Sequence, residues 1–239
     1  MPVALPSTGS DYSTAQATSG TSLAPAKPVN TADNDLLWCY TYFRNATTTP
    51  TPPAGWSSIG ISSTAHPGFQ LFTKQITTAA GEPGTYTFTA DAGGRCGVIL
   101  GRITGHRTTT PVDVVGTVQD AVGSSNVVTP SISTSASDDL LICLTVANIA
   151  SATPIGITPD AALTELVEVD VSSTSSSSLS VGFASFGAPG ATGTRTQTFD
   201  ATASSRASVL VAFAAQVTYQ AGRAPFSAPT PAAHNAATW

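Results

Sequence analysis

Polar and apolar residues alternate along this chain with the period of β-strands. Leu179, Val181 and Phe183 alternate with serine and glycine. Tyr86 and Phe88 likewise stand between threonines. Because successive side chains of a strand point to opposite faces of a sheet, this pattern predicts strands with one buried face. The sequence shows no stretch of a dozen residues with the 3.6-residue repeat of an amphipathic helix.

Short apolar runs predict further strands that are buried on both faces. They cover residues 98–100, 140–144 and 209–213. Clusters of Gly, Pro and Ser, which favour turns, separate the predicted strands at 50–55, 81–84, 172–178 and 187–193. The pattern therefore predicts an all-β protein with about ten to twelve short strands.

The predicted strands occur in two sets with the same order. Residues 35–41, Asp-Leu-Leu-Trp-Cys-Tyr-Thr, match residues 139–145, Asp-Leu-Leu-Ile-Cys-Leu-Thr. Further segments of the two halves match in the same order: 23–28 with 127–132, 53–56 with 159–163, 72–74 with 183–185, 85–88 with 196–199 and 95–100 with 206–211. Such self-similarity indicates an internal duplication. We predict a duplicated antiparallel β-sandwich, either one jelly-roll-like sandwich or two packed half-sandwiches.

The duplication sets the predicted boundaries. The first β-sandwich repeat is expected over residues 19–104 and the second over 126–219, with a Val-rich connection at 105–125 between them. Residues 1–18 and 220–239 are expected to be extended N- and C-terminal arms. Their small polar residues, alanines and prolines cannot bury enough apolar surface to fold alone.

The C-terminal arm carries the predicted partner-binding residues. Trp239 ends an Ala- and Pro-rich segment and has no local core to enter, so we expect it to bind a neighbouring subunit. Phe226 and Pro229 lie in the same segment and are expected to take part in that contact.

Composition excludes several classes of partner. Only 10% of the residues are charged, against about 25% in a typical soluble domain. The net charge of −5 excludes the basic surface of a nucleic-acid binder or of a membrane-surface protein. No apolar run approaches the roughly 18 residues of a membrane span. Because so few charges give sheet edges little electrostatic protection, the composition favours a subunit of an assembly.

Exposed aromatic rings would indicate a glycan-binding surface. Trp56 follows a Pro-Pro-Ala-Gly turn, and we expect it to close the core as a lid. The alternatives are a contact with another subunit or a sugar-binding platform, to which Tyr42 would also belong.

Cysteines and histidines give no catalytic or metal-binding motif. Cys39, Cys96 and Cys143 lack metal-ligand spacing and are odd in number, so we expect buried free thiols. The three histidines stand singly in loop contexts, where we expect loop or surface residues: His66, His106 and His234. The pentapeptide Gly-x-Ser-x-Gly of a nucleophile elbow does not occur. We expect no catalytic residue, no metal and no cofactor.

Aspartates precede a strand in both halves. The pairs are Asp33 with Asp35, and Asp138 with Asp139. Aspartate side chains bond their own backbone at such turns, which is the interpretation we favour, with Ca²⁺ binding as the alternative.

Glutamates form at most a weak acid–base pair. The chain has three, Glu82, Glu165 and Glu168. The last two would face opposite sides if they lay on one regular strand.

Several strand and turn motifs of the first half resemble one known module. They are Asp-Leu-Leu-Trp-Cys-Tyr at 35–40, Thr-Pro-Pro-Ala-Gly-Trp at 51–56, Leu-Phe-Thr-Lys at 71–74, Glu-Pro-Gly-Thr-Tyr-Thr-Phe-Thr at 82–89, and Ile-Thr-Gly at 103–105 followed by Thr-Pro-Val-Asp at 110–113. The chain resembles, over residues 20–215, a β-sandwich module of tailed-phage structural proteins, often called minor tail proteins. The resemblance implies no catalytic residues.

These observations lead to an expected function. We expect a non-enzymatic component of a tailed-phage virion, either a minor tail protein or a capsid decoration protein. Its partners would be other virion structural proteins, and it would form a homo-oligomer within the assembly, with neither nucleic acid nor membrane as a partner. The N-terminus has no signal-peptide pattern, so we expect synthesis in the host cytoplasm. The alternative is a glycan-binding module or adhesin, followed by a polysaccharide hydrolase.

Overall fold

The computed structural model describes residues 3–5, 9–61 and 63–216 and confirms the predicted all-β class. Within these residues a single 3-10 helix, Ala79–Gly81, accompanies sixteen strands. In chain order the strands are β1 Tyr12–Leu23, β2 Leu36–Phe43, β3 Ser57–Ser58, β4 Gln70–Gln75, β5 Phe88–Ile103, β6 Val112–Val115, β7 Gln119–Ala121, β8 Ser124–Thr129, β9 Ser133–Thr134, β10 Asp139–Ile149, β11 Ile157–Thr158, β12 Thr164–Ser172, β13 Ser176–Phe186, β14 Gly190–Ala191, β15 Arg195–Ala203 and β16 Ser205–Phe213.

Two antiparallel sheets form the body of the molecule. The first has the order β1-β5-β2-β4-β3, and the second has the order β12-β13-β10-β16-β6, with β7 also paired to β16. When the second sheet is read from β6, it repeats the strand order of the first. β10 then takes the place of β2, and β16 takes the place of the second part of β5. Two smaller sheets, β11-β15-β8 and β14-β9, complete the fold.

The two sheets share one core and so form a single sandwich. Alternate residues of β2 and β10 point into the layer between the sheets, where each is fully or almost fully buried: Leu36, Trp38, Tyr40 and Tyr42 from β2, and Leu140, Ile142, Leu144 and Val146 from β10. The Tyr40 hydroxyl crosses this layer and donates to the carbonyl of Thr145 at 2.9 Å. Neither sheet could therefore bury its apolar inner face without the other.

Each sheet also has a covered outer face. The outward residues of the first sheet, such as Cys39 and Leu100, pack beneath loop residues that include Trp56. The outward residues of the second sheet, such as Cys143 and Leu210, pack beneath Ile132 and its neighbours. All three cysteines are buried free thiols, as predicted. Both faces of the central strands are thus apolar because both faces are covered.

One of the matched segments is out of register by one residue. The sequence comparison placed residues 95–100 over 206–211, which sets Leu100 against Val211. In the structure Leu100 pairs with Cys39, and Leu210 pairs with Cys143, so Leu100 corresponds to Leu210. Because a shift of one residue moves a side chain to the other face of a sheet, the predicted match would have exchanged inner and outer residues.

Two segments that were predicted to lie outside the repeats contain strands. Residues 12–18 belong to β1, although 1–18 were expected to be an arm. β6 and β7 lie within the expected connection 105–125 and pair with β16 as β1 pairs with β5. The sequence pattern did not predict β1, because it is an edge strand rich in Ser, Thr, Gly and Ala with little buried surface. The C-terminal arm 220–239 lies outside the described residues.

Candidate functional site

The proposed glycan platform is wrong, because both of its rings are in the interior. Trp56 is 7% exposed, and its ring meets those of Tyr86 and Phe88 edge-on, at centroid distances of 5.1 and 5.2 Å. It is the lid over the outer core of the first sheet. Tyr42 is fully buried on a central strand, where its ring cannot stack on a sugar.

Tyr42 instead belongs to a polar network that crosses the core. Its hydroxyl accepts a hydrogen bond from the Asn148 amide nitrogen at 2.8 Å. The Asn148 amide oxygen accepts from Ser177 at 2.7 Å, and the Arg95 guanidinium donates to the same serine at 3.2 Å. Burial raises the pKa of Tyr42 to about 12, so the hydroxyl stays neutral. Because buried polar groups are stable only with partners, this network fixes how the two sheets face each other.

Of the two aspartates before β2, Asp35 forms the predicted turn, whereas Asp33 accepts from the distant backbone nitrogen of Ala79 at 2.7 Å. Asn34 has a φ of 68°, a left-handed conformation that asparagine tolerates. The Asp35 carboxylate accepts from the backbone nitrogen of Ala32 at 2.8 Å, as expected for turn chemistry. The same carboxylate pairs with Arg102 at 3.0 Å, and Arg102 also pairs with Asp11 at 2.8 Å.

The equivalent position before β10 has a different environment. Asp138 has a φ of 59° and repeats the left-handed turn of the first half. Asp139 is fully buried, and within the described residues neither of its carboxyl oxygens accepts a hydrogen bond. The register places Ala212 where the first half has Arg102, so the cation is missing.

A carboxyl pair forms in place of that ion pair. Burial, and after it the nearby negative charge of Asp113, raises the pKa of Asp139 to about 7. Asp113 accepts hydrogen bonds from the backbone nitrogen and the hydroxyl of Ser135, and these hydrogen bonds hold its pKa below the usual value despite partial burial. Asp113 therefore carries the charge while Asp139 keeps the proton.

Glu165 and Glu168 lie on one face of β12, and not on the opposite faces expected of a regular strand, because the bulge between Glu165 and Val167 sets them opposite Gly182 and Ser180. Glu82 forms an ion pair with Lys74 at 2.6 Å and accepts from the Tyr86 hydroxyl at 2.8 Å. Glu165 is exposed at the start of β12, next to a bulge. Glu168 is half-buried and accepts from the backbone nitrogen of Ile157 at 3.2 Å; burial raises its pKa to about 7. The described residues contain no group of three or more His, Cys, Asp or Glu with the geometry of a metal site.

The histidines in the described residues lie in loops, as predicted, but they are buried. His106 is 2% exposed, and its Nε2 lies 2.7 Å from the amide oxygen of Gln75. His66 borders a cavity of about 360 Å³ together with Asp120. Burial lowers the pKa of both histidines, so the neutral form is favoured.

Ser63 lies between His66 and Asp120, but the three do not form a catalytic relay. The Ser63 hydroxyl donates to the Asp120 carboxylate at 2.9 and 3.0 Å. It also accepts from the backbone nitrogen of His66 at 2.8 Å. A nucleophilic serine needs its proton on a histidine ring nitrogen, whereas this proton points to the carboxylate. The arrangement instead holds the loop around His66 against β7.

Charge is distributed unevenly over the surface. The chain has nine Lys and Arg, eight of which lie in the described residues. Each of these eight is buried or half-buried. The exposed charged side chains within the described part are all carboxylates: Asp33, Asp91, Asp138, Glu165, Asp170 and Asp200. The composition shows that charged residues are few, but only the structure shows that the exposed ones are all negative.

The outer strands of the two main sheets differ in their protection. The edges of the first sheet are β1 and β3, and β3 has only two residues. One edge of the second sheet is β12, and the other is divided between the short strands β6 and β7. β12 carries Glu165, Glu168 and Asp170. β1 is twelve residues long and contains neither a charged residue nor a proline. Because a long uncharged edge strand readily pairs with another chain, β1 is the candidate interaction site.

The predicted partner-binding residues Trp239, Phe226 and Pro229 lie outside the described residues, as does His234.

Among the residues that are described, no helix has the length and apolar character to cross a membrane. The chain matches no protein-family model, no curated protein and no solved structure.

Proposed function

We propose that the protein is a non-enzymatic structural component of a tailed-phage virion, a minor tail or capsid decoration protein that packs against neighbouring virion subunits. The sequence resemblance to such β-sandwich modules suggests the kind of particle. The observation that carries the proposal is the surface charge, since all eight described Lys and Arg are at least half-buried.

The surface supports packing against other subunits for a physical reason. Exposed lysines normally keep sheet edges and faces apart from other chains. This protein uses its cations internally, as where Arg102 holds Asp11 and Asp35. The remaining surface of the described residues consists largely of Ser and Thr with a few carboxylates, and a hydroxyl group costs less to desolvate against a neighbour than a charged side chain does.

The shared core supports the same role. One sandwich built from both halves, with Tyr42 and Asn148 bonded across it, is a stiff body with fixed outer surfaces. The arm 220–239 would add a contact at a distance, with Trp239 inserted into a neighbouring subunit together with Phe226 and Pro229.

The proposal is tested on particles. Phage particles from cells that encode this chain are banded by density, washed at high salt and analysed by mass spectrometry and by immunogold labelling of the chain. We expect the chain in the washed particles at a fixed copy number. Its presence only in the particle-free fraction would overturn the proposal.

The arm is tested in the same system. A chain that lacks residues 220–239 and the single variant Trp239→Ala are compared with the full chain for incorporation into particles. We expect both to incorporate less, whereas Thr238→Ala, next to the tryptophan, serves as the matched control. Equal incorporation of all four chains would leave the arm without a role.

A further inference from the structure

The backbone hydrogen bonds of β1 alternate in direction. The backbone nitrogen of Arg102 donates to the carbonyl of Asp11 at 3.2 Å, from β5 towards the chain just before β1. On the other side of β5, the nitrogen of Arg44 donates to the carbonyl of Arg95 at 3.0 Å, at the end of β2. In an antiparallel ladder, alternate residues bond to the same neighbour. Even-numbered residues of β5 therefore bond to β1, and odd-numbered residues bond to β2.

It follows that three residues of β1 direct their backbone groups away from the sheet. The pairing is regular from Tyr12 to Ala17, with Tyr12 opposite Gly101. The odd-numbered residues of β1 therefore direct their backbone N–H and C=O groups towards β5. Tyr12, Thr14 and Gln16 then point their N–H and C=O groups to the open edge. Ser10 has the same parity, and its carbonyl accepts from the backbone nitrogen of Asn30 at 3.1 Å on that outer side.

Asn30 marks where the open edge begins. From Tyr12 onwards, no backbone hydrogen bond from the rest of the described chain reaches Tyr12, Thr14 or Gln16 on the outer side. Three consecutive outward positions therefore offer an unpaired ladder at which another strand can add.

We infer that β1 pairs with β1 of a second copy of this chain, antiparallel, about a two-fold axis at Thr14. This register places Thr14 opposite Thr14 of the other copy and Tyr12 opposite Gln16. All outward groups are then matched, with about six backbone hydrogen bonds between the copies. The first sheets of the two copies become one continuous sheet.

The side chains of β1 favour a second copy as the occupant. A two-fold axis sets a strand against itself, so any charged side chain at the axis would meet its own charge. β1 has no charged residue from Tyr12 to Leu23. Threonine opposite threonine is a favourable cross-strand pair, and tyrosine has a high preference for strands.

The neighbouring strand β12 adds a dependence on salt. β12 packs against β1 and β5 of its own copy and carries three carboxyl groups. Edge-to-edge pairing brings the two β12 strands towards each other. Because salt screens such repulsion, the self-association strengthens as ionic strength rises.

The biological role of this contact rests on the proposed function. The pairing itself does not, because it is a property of the purified chain. The test is sedimentation equilibrium of the full chain over a range of concentrations, at low and high salt. We expect a reversible dimer of the 24.1 kDa chain that is tighter at high salt. Hydrogen exchange at high protein concentration should protect the amides of Tyr12, Thr14 and Gln16.

Thr14→Pro separates the edge from the fold. The Thr14 N–H points outward, so proline removes a donor from the edge but no hydrogen bond to β5. We expect dimerisation to weaken on the order of 100-fold, because the axis brings the substitution into the contact twice. Thr14→Val keeps the N–H and is the matched control, with dimerisation close to that of the unmodified chain.

The outcomes distinguish this inference from the proposed function. A chain that stays monomeric, or a dimer that Thr14→Pro leaves unchanged, overturns the inference even if the chain is found in particles. A dimer that Thr14→Pro disrupts upholds it even if the chain is absent from particles. If Thr14→Pro does not fold, exchange protection of the three outward amides in the unmodified dimer decides the question.

Discussion

Replacing Asp139 with asparagine tests the carboxyl pair at the start of β10. The pKa of Asp139 is about 7 in the folded protein, against an ordinary value of 3.8. Below the lower value the group is neutral in both states and does not oppose folding. As the pH rises through this window, the unfolded chain loses the proton while the folded chain keeps it. Folding therefore loses stability as the pH rises to about 7, and the loss persists above that pH.

The size of the effect follows from the difference between the two pKa values. Each unit corresponds to about 1.4 kcal/mol, so a rise from 3.8 to about 7 amounts to about 4 kcal/mol across the window. Asparagine cannot ionise, and its amide can donate to Asp113 at every pH. Relative to the unmodified protein, Asp139→Asn should gain about 4 kcal/mol between pH 4 and pH 8.

The measurement is urea unfolding of both proteins at pH 4 and pH 8. The carboxyl groups distant from Asp139 titrate alike in both proteins, so their contributions cancel in the comparison. Asp138→Asn is the matched control, because that side chain is exposed and the first half has Asn34 at the equivalent left-handed position. If the stability difference between Asp139→Asn and the unmodified protein changes by less than about 1 kcal/mol between the two pH values, Asp139 does not keep its proton in the folded protein.

Three further substitutions test the packing and the ion pairs. Trp56→Ala removes the lid of the outer core and should lower the free energy of unfolding by about 3–5 kcal/mol in urea; unchanged stability would contradict the buried position. Arg102→Met leaves two carboxylates without their cation and should cost about 3 kcal/mol, whereas a loss under about 1 kcal/mol would show that water replaces the guanidinium. Gly101→Ala would place a Cβ 2.5 Å from the Trp38 ring and should lower the melting temperature, while Gly81→Ala, with open space around it, should not; equal effects would contradict the close contact.

The central strands could be predicted because their burial determines their amino-acid composition. The apolar runs of β2 and β10 are covered on both faces, so almost every residue in them is apolar. β1 shows no such run, since it is an edge strand whose residues are mostly exposed or half-buried. Its place in the sheet comes from backbone pairing with β5, and backbone pairing leaves little trace in side-chain composition.

The register error has a physical origin as well. β5 runs unbroken from Phe88 to Ile103, whereas the second half divides the same path into β15 and β16 at Ser204. One residue fewer separates Phe199 from Leu210 than separates Phe88 from Leu100. A break within small polar residues does not disturb the apolar pattern on either side, so the sequence comparison could not locate it.

Long-range partners set the chemistry of the candidate sites. Asp35 and Asp139 have the same local sequence, yet one meets Arg102 and the other meets Asp113. The difference depends on which residue of the neighbouring strand lies opposite, and spacing along the chain does not reveal it. The single sign of the exposed charges is hidden for the same reason, because burial selects which ionisable groups remain at the surface.

The shared core also constrains how the two copies of the repeat can diverge. At three successive inward positions the first copy has an aromatic side chain, where the second has a branched aliphatic one: Trp38, Tyr40 and Tyr42 against Ile142, Leu144 and Val146. The layer between the sheets has a fixed volume that must be filled without voids. Bulk gained by one copy is therefore bulk that the other must give up. Two identical copies would overfill or underfill this layer, so mutations in the halves become accepted in compensating pairs.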